Sequence, residues 1–281
     1  MRFIYPNNIT HIEMTNGDSD FPATFALTDY IKQKAKATTN TTTFTLTVSK
    51  ADVVAVFGTN AETVTVSTSS GVNVAWEAGV SWEAGVSWEQ SLEYVFEDTV
   101  TPSDYDFRNE GNGKAWVEYD GDHPHHLELT FDCSTSENIE VGIIYAGPLH
   151  EFNNPLVNPG LRMRPIEYSI IGELNAPGAM YVEDKDQVFS WAFQMIAEYE
   201  TSEFSSGTIA YPNDLNISTE LFNYYDKMVA GAKLNPLPCW FVDNDYRHLA
   251  FARLDPNYLP EISLTDIIER GFINARYIEV V

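Results

Sequence analysis

The sequence predicts a mainly β protein with an antiparallel sandwich in its first half, and three observations carry that prediction. Short segments alternate apolar and polar residues with a period of two, the pattern of a half-buried strand. Between them lie brief, unbroken apolar runs that end in Gly or Asn turns, as strands covered on both faces do. Only one stretch carries a convincing helical stripe.

TTTFTLTVS (41–49) and ETVTVSTS (62–69) are the clearest alternating segments, and VVAVFGTNA (53–61) between them reads as a buried central strand. KAWVEYD (114–120) and HLELTFD (126–132) alternate again, and IEVGIIYAG (139–147) is a second buried run. About six short strands with turn signals between them predict an antiparallel sandwich.

Residues 75–88 read AWEAGVSWEAGVSW, a six-residue unit occurring twice and followed by a third Trp. An even repeat keeps its register in a strand, so Trp76, Trp82 and Trp88 share one face with Ala78, Ala84, Val80 and Val86. In a helix a step of six turns each copy by about 600° and scatters the indoles around the axis. The segment is therefore expected to be a strand or hairpin lengthened by local duplication. Its Trp face reads either as a stacking platform for sugars or as an apolar surface packed against a neighbouring sheet or subunit, and the second reading is preferred because indoles usually stay buried.

A Pro/Asn/Gly-rich bridge (150–165) leads into the second half, giving expected domains of 1–148 and 149–281. QVFSWAFQMIAEY (187–199) reads as a strand, with Phe189, Trp191, Phe193 and Met195 on one face. TELFNYYDKMVAGAK (219–233) is the expected helix, capped by Ser218 or Thr219, with Leu221, Tyr224, Tyr225, Met228 and Ala232 as its inner stripe. PCWFVDND (238–245) and FINARYIEVV (272–281) read as strands.

Charge narrows the function. Sixteen Lys+Arg stand against 41 Asp+Glu, a net charge of −25. A surface this negative repels phosphate backbones and anionic headgroups, so no nucleic acid is expected as a partner. No apolar run approaches the roughly 18 residues of a spanning helix, and the N-terminus lacks a signal-peptide pattern, so no membrane insertion is expected. Lys32, Lys34 and Lys36 read as a solvated turn. Cys133 and Cys239 lie far apart and read as small buried hydrophobes, with neither a disulfide framework nor a zinc ribbon.

No GxSxG, HExxH, P-loop or GxGxxG pattern is present, so no catalytic residue and no cofactor are assigned. His123, His125 and His126 form a loop in which Pro124 favours extended backbone and spreads its neighbours. Asp18 and Asp20 in NGDSD (16–20) are weak candidates for a calcium ion, without the spacing of an EF-hand. Arg162 and Arg164 stand together in an acidic chain and are expected at a subunit contact, where guanidinium groups pair bidentately with carboxylates. Pairing within their own chain is the competing reading.

DFPATFALTD (20–29), TFTLTVSKADVVAVFGTNA (43–61), TVTVSTSSG (63–71) and the hairpin HLELTFDCSTSENIEVGIIYAGP (126–148) together resemble a galactose-binding-like, discoidin-type jelly roll. The following β-rich segment, its helix, the Pro-bounded strand Leu237-Pro238-Cys239-Trp240-Phe241 and a terminal strand with Glu279 are similar to minor tail and distal-tail-type proteins of tailed phages. The resemblance implies a jelly-roll β-sandwich followed by a β-rich α+β domain. It also implies a structural, non-enzymatic virion protein of the phage tail, assembled in the host cytoplasm. Its partners would be itself, as a homo-oligomer, and other virion proteins. The alternatives are a carbohydrate-binding protein that recognises host surface glycans, and a glycan hydrolase or lyase.

Overall fold

The computed structural model describes residues 1–69, 94–101, 113–119, 125–135, 137–152, 161–166, 170–173, 180–183, 188–198, 223–242, 248–258, 260–265 and 270–280. The chain is mainly β and divides into two compact units. Residues 4–149 form one, and residues 1–3 with 150–281 form the other. A sequential division at residue 148 does not anticipate this assignment of the first three residues. They leave the unit that follows them because β1 (Arg2–Ile4) pairs far along the chain.

The sandwich unit runs through β2 (Ile9–Met14), a 3-10 turn at Ala23–Leu27, β3 (Ala35–Lys36), β4 (Thr41–Val48), β5 (Val53–Thr59) and β6 (Thr63–Ser69). It continues with β7 (Tyr94–Val100), β8 (Gly113–Glu118), β9 (His125–Asp132), β10 (Glu140–Val141) and β11 (Ile143–Gly147). One sheet has the order β2-β4-β9-β6-β7, another β11-β5-β8, and β10 pairs with β3. Their shared core contains Phe44, Leu46 and Val48 of β4, Val64 and Val66 of β6, and Leu127, Leu129 and Phe131 of β9. Val54, Val56, Val117 and Ile144 of the smaller sheet complete it.

Period-two patterning explains β4, whose Phe44, Leu46 and Val48 point inward while Thr43, Thr45 and Thr47 stay outside. β5 is buried at every position, as its unbroken apolar run requires. Gly58 has φ +72° and sits where the β5–β8 register shifts, a bulge conformation that L side chains rarely adopt. A Cβ there would also meet Ile31 Cγ2 at 2.6 Å. The run 139–147 is two strands rather than one, broken at Gly142 between β10 and β11.

The second unit holds β12 (Leu149–Glu151), β13 (Arg162–Ile166), β14 (Ile170–Glu173), β15 (Met180–Glu183) and β16 (Val188–Glu198). After these come a π-helical segment at Tyr225–Gly231, then β17 (Leu237–Trp240), β18 (Leu249–Leu254), β19 (Glu261–Thr265) and β20 (Arg270–Glu279). Its main sheet has the order β12-β1-β17-β18-β20-β16-β13, with β19 also on β20, and β14 pairs with β15. Phe3 joins this unit through the register Phe3↔Cys239.

An aromatic web fills its core. The Phe3 ring lies 5.8 Å from Phe152, 6.0 Å from Tyr224 and Phe241, and 5.6 Å from Tyr277. Trp191 stacks on Phe241 at 5.2 Å and Phe193 on Tyr277 at 6.0 Å. The Tyr224 and Tyr277 hydroxyls bond each other at 2.9 Å. Burial pushes both phenols well above their ordinary value, so each remains protonated and satisfies its partner.

The expected α-helix over 219–233 differs in two ways. Within its described part Tyr225–Gly231 is π-helical, and its close is an i→i+5 bond from Ala232 N–H to Lys227 O at 3.0 Å. Tyr224, Met228 and Ala232 are buried at a spacing of four, whereas Tyr225 is exposed. Adjacent helical residues point about 100° apart, so one narrow stripe cannot include both tyrosines. The segment 238–245 stops being strand at Trp240, within β17.

Candidate functional site

Trp76, Trp82 and Trp88 lie outside the described residues, as do His123 and Pro124. The Asp18 carboxylate accepts the Asp20 backbone N–H at 2.9 Å, and Phe21 N–H bonds Asp18 O at 3.1 Å, so Asp18 organises its own turn. Among the described residues no group of three His, Cys, Asp or Glu is placed to hold a metal ion. His126 is exposed on β9, with Nδ1 at 3.3 Å from Thr47 Oγ1. Cys133 and Cys239 are both buried free thiols, and burial raises the Cys239 thiol well above its ordinary value.

The outer face of the five-stranded sheet is a hydroxyl surface. Register places Thr43, Thr130, Thr65 and Thr99 in one row across β4, β9, β6 and β7. Thr43 and Thr130 bond at 3.1 Å and Thr65 and Thr99 at 2.9 Å. These hydroxyls are spent on cross-strand pairs, which stabilise the sheet itself. Glu13, Thr45 and Glu128 form the neighbouring row, so the same face carries negative charge.

Lys32 is exposed in a turn, but Lys34 and Lys36 are not merely solvated. Lys36 Nζ lies 2.6 Å from Glu140 Oε1 and Lys34 Nζ 3.2 Å from Oε2, and Lys36 also stands 4.7 Å over the Phe21 ring. The pairing of β3 with β10 opposes Lys36 and Glu140, a long-range register that lysine spacing alone does not reveal. Burial works to raise the Glu140 carboxyl, but the hydrogen bonds and charges of Lys36 and Lys34 outweigh it and the value is lowered. A carboxyl with a lowered folded value contributes stability above its unfolded value, near 4.5, that is lost as pH falls through the folded value. Glu140→Gln should therefore reduce stability at pH 7 by less than about 1 kcal/mol and leave it unchanged near pH 3. Urea unfolding at the two pH values measures this, and an equal loss at both would remove the ion-pair explanation.

The most unusual surface is the outer edge of the second unit's sheet. Among the described residues β13 is the last strand of this sheet and pairs with β16 alone. Arg162, Met163, Arg164 and Pro165 are all exposed. Arg162 stands opposite Ala192 and Arg164 opposite Ser190, so neither has an acidic cross-strand neighbour. Ser190 Oγ donates to Arg164 O at 3.3 Å, but neither guanidinium forms an ion pair among the described residues. Arg2 and Arg276, by contrast, do reach acids, at 2.9 Å from Glu151 and 3.3 Å from Asp255.

Among the described residues, the fold is that of a two-unit, mainly β protein with two exposed arginines side by side on one sheet edge. No protein-family model matches the chain, and no curated protein matches it. Among solved structures, reduced XRCC1 bound to the DNA polymerase beta catalytic domain is similar at 15% identity and a TM-score of 0.34. It covers 52% of this chain and 98% of that one. The solution structure of the N-terminal domain of the single-strand break repair protein XRCC1 is similar at 16% identity and a TM-score of 0.35, over 51% and 99%. At these scores neither structure informs the activity of this chain, and the sandwich stands on its own strand pairing.

Proposed function

We propose that this chain is a structural component of a tailed-phage virion, in the tail or its tip, that acts by assembling with copies of itself and with other virion proteins. The observation that supports it most directly is β13, which among the described residues is a sheet edge carrying two guanidinium groups without an ion pair, in a chain of net charge −25. A strand edge left open is an association surface unless something covers it. The resemblance of the first half to a galactose-binding-like jelly roll, and of the β-rich segment after it to minor tail and distal-tail-type proteins, supplies the setting.

Sedimentation of the full chain at micromolar concentration tests the reading. A closed ring or trimer is the expected result. A monomer at all concentrations up to about 100 μM, well above the micromolar dissociation constants of weak specific complexes, would overturn it.

A further inference from the structure

We infer that β13 is a head-to-tail docking edge: Arg162 and Arg164 of one copy engage a carboxylate-bearing surface of a second copy, away from that copy's own β13. This deepens the assembly proposed above and rests on it. Residues two apart on a strand share a face, so Arg162 and Arg164 present two guanidinium groups side by side. Their cross-strand neighbours, Ala192 and Ser190, are too short and uncharged to occupy them. With 41 acidic residues in the chain, the partner need not be a different protein, because a second copy already presents an excess of carboxylates.

The geometry separates head-to-tail contact from two other arrangements. Two β13 edges paired about a two-fold axis would bring arginine against arginine, and like charges across strands are destabilising. Strand addition is impaired as well, because Pro165 removes a backbone donor from the ladder. Contact through the Arg162 and Arg164 side chains is left. Met163, 39% exposed, belongs to the other face of the strand, opposite the buried Trp191. An alternative role for Arg162, Arg164 and Pro165 is to keep the edge from aggregating, and it predicts the opposite response to substitution.

The test uses the full chain, compared by sedimentation as wild type, Arg162→Glu with Arg164→Glu, and Arg162→Ala with Arg164→Ala, in low and in 0.5 M salt. Both variants alter exposed edge positions, and thermal unfolding checks that each folds; the alanine pair serves if the glutamate pair does not. The expected result is self-association weakened about tenfold in the alanine pair and further in the glutamate pair, with wild-type association falling in high salt. The glutamate variant retains its acidic surface, so mixing it with wild type should cap assemblies and lower their mean mass. If wild type assembles and the variants assemble equally, the docking edge is wrong while the assembly reading stands. If the variants form larger species than wild type, the edge is protective and the inference is overturned. If wild type is a monomer throughout, both readings fail together.

Discussion

Alanine in place of Phe3 should destabilise the unit formed by residues 150–281 by about 3 to 5 kcal/mol, although Phe3 precedes the whole sandwich in sequence. Its ring is fully buried and touches four aromatic neighbours: Tyr277 of β20, Tyr224 at the start of the π-helical segment, Phe152 beside β12 and Phe241 beside β17. Truncation removes transfer free energy and leaves a cavity that a web of rigid rings cannot collapse into. Hydrogen exchange under mild denaturant measures the effect region by region. Amides of β16, β17, β18 and β20 should lose protection while those of β4, β5 and β9 keep theirs. Phe3→Leu, which keeps most of the apolar volume, should recover most of the loss. Equal loss of protection in both units would show that Phe3 does not belong to the second unit alone.

In the sandwich the corresponding position is Gly147. A Cβ at this position would lie 2.0 Å from the Pro6 carbonyl oxygen, a backbone atom with little room to move. The approach is fixed from both sides, by Asn8 N–H to Ala146 O at 2.7 Å and Tyr5 N–H to Pro148 O at 3.4 Å. Asn7 Oδ1 accepts Ala146 N–H at 3.3 Å in the same contact. Gly147→Ala should therefore cost about 2 to 4 kcal/mol, at or above the usual range for overpacking, because backbone rather than a side chain must give way. Urea unfolding followed on the sandwich amides would measure it. A change below about 0.5 kcal/mol, the size typical of surface substitutions, would mean the two segments separate easily and the contact is loose.

Sequence legibility followed the range of the interaction. β4, β6, β9 and β16 were readable because a period of two is written in neighbouring residues, and β5 because a doubly covered strand has no polar face to alternate. β1, β2 and β18 carried too few residues, or too mixed a pattern, to be distinguished from loop. β1 is a strand only because Arg2 and Phe3 meet Trp240 and Cys239. The same limit governed the surfaces. Arg162 and Arg164 could be singled out from composition, but their lack of a carboxylate neighbour depends on the β13–β16 register. The lysines at 34 and 36 were misread for the converse reason, since Glu140 reaches them only through β10.

The bond from Tyr5 N–H to Pro148 O also bears on the order in which the molecule forms. During synthesis β1 emerges before its partners, β17 and β12, and closing a loop that spans most of the chain is entropically unfavourable. Once residues 4–149 have folded, that bond and the Gly147–Pro6 approach hold the two ends of the sandwich side by side, so the sandwich acts as a clasp. For β1 and β12 the remaining loop is then a few residues, and the strands are delivered together as a ready-made starting edge for the last sheet. β1 and β12, neighbours in the last sheet, therefore meet without a long loop of their own to close.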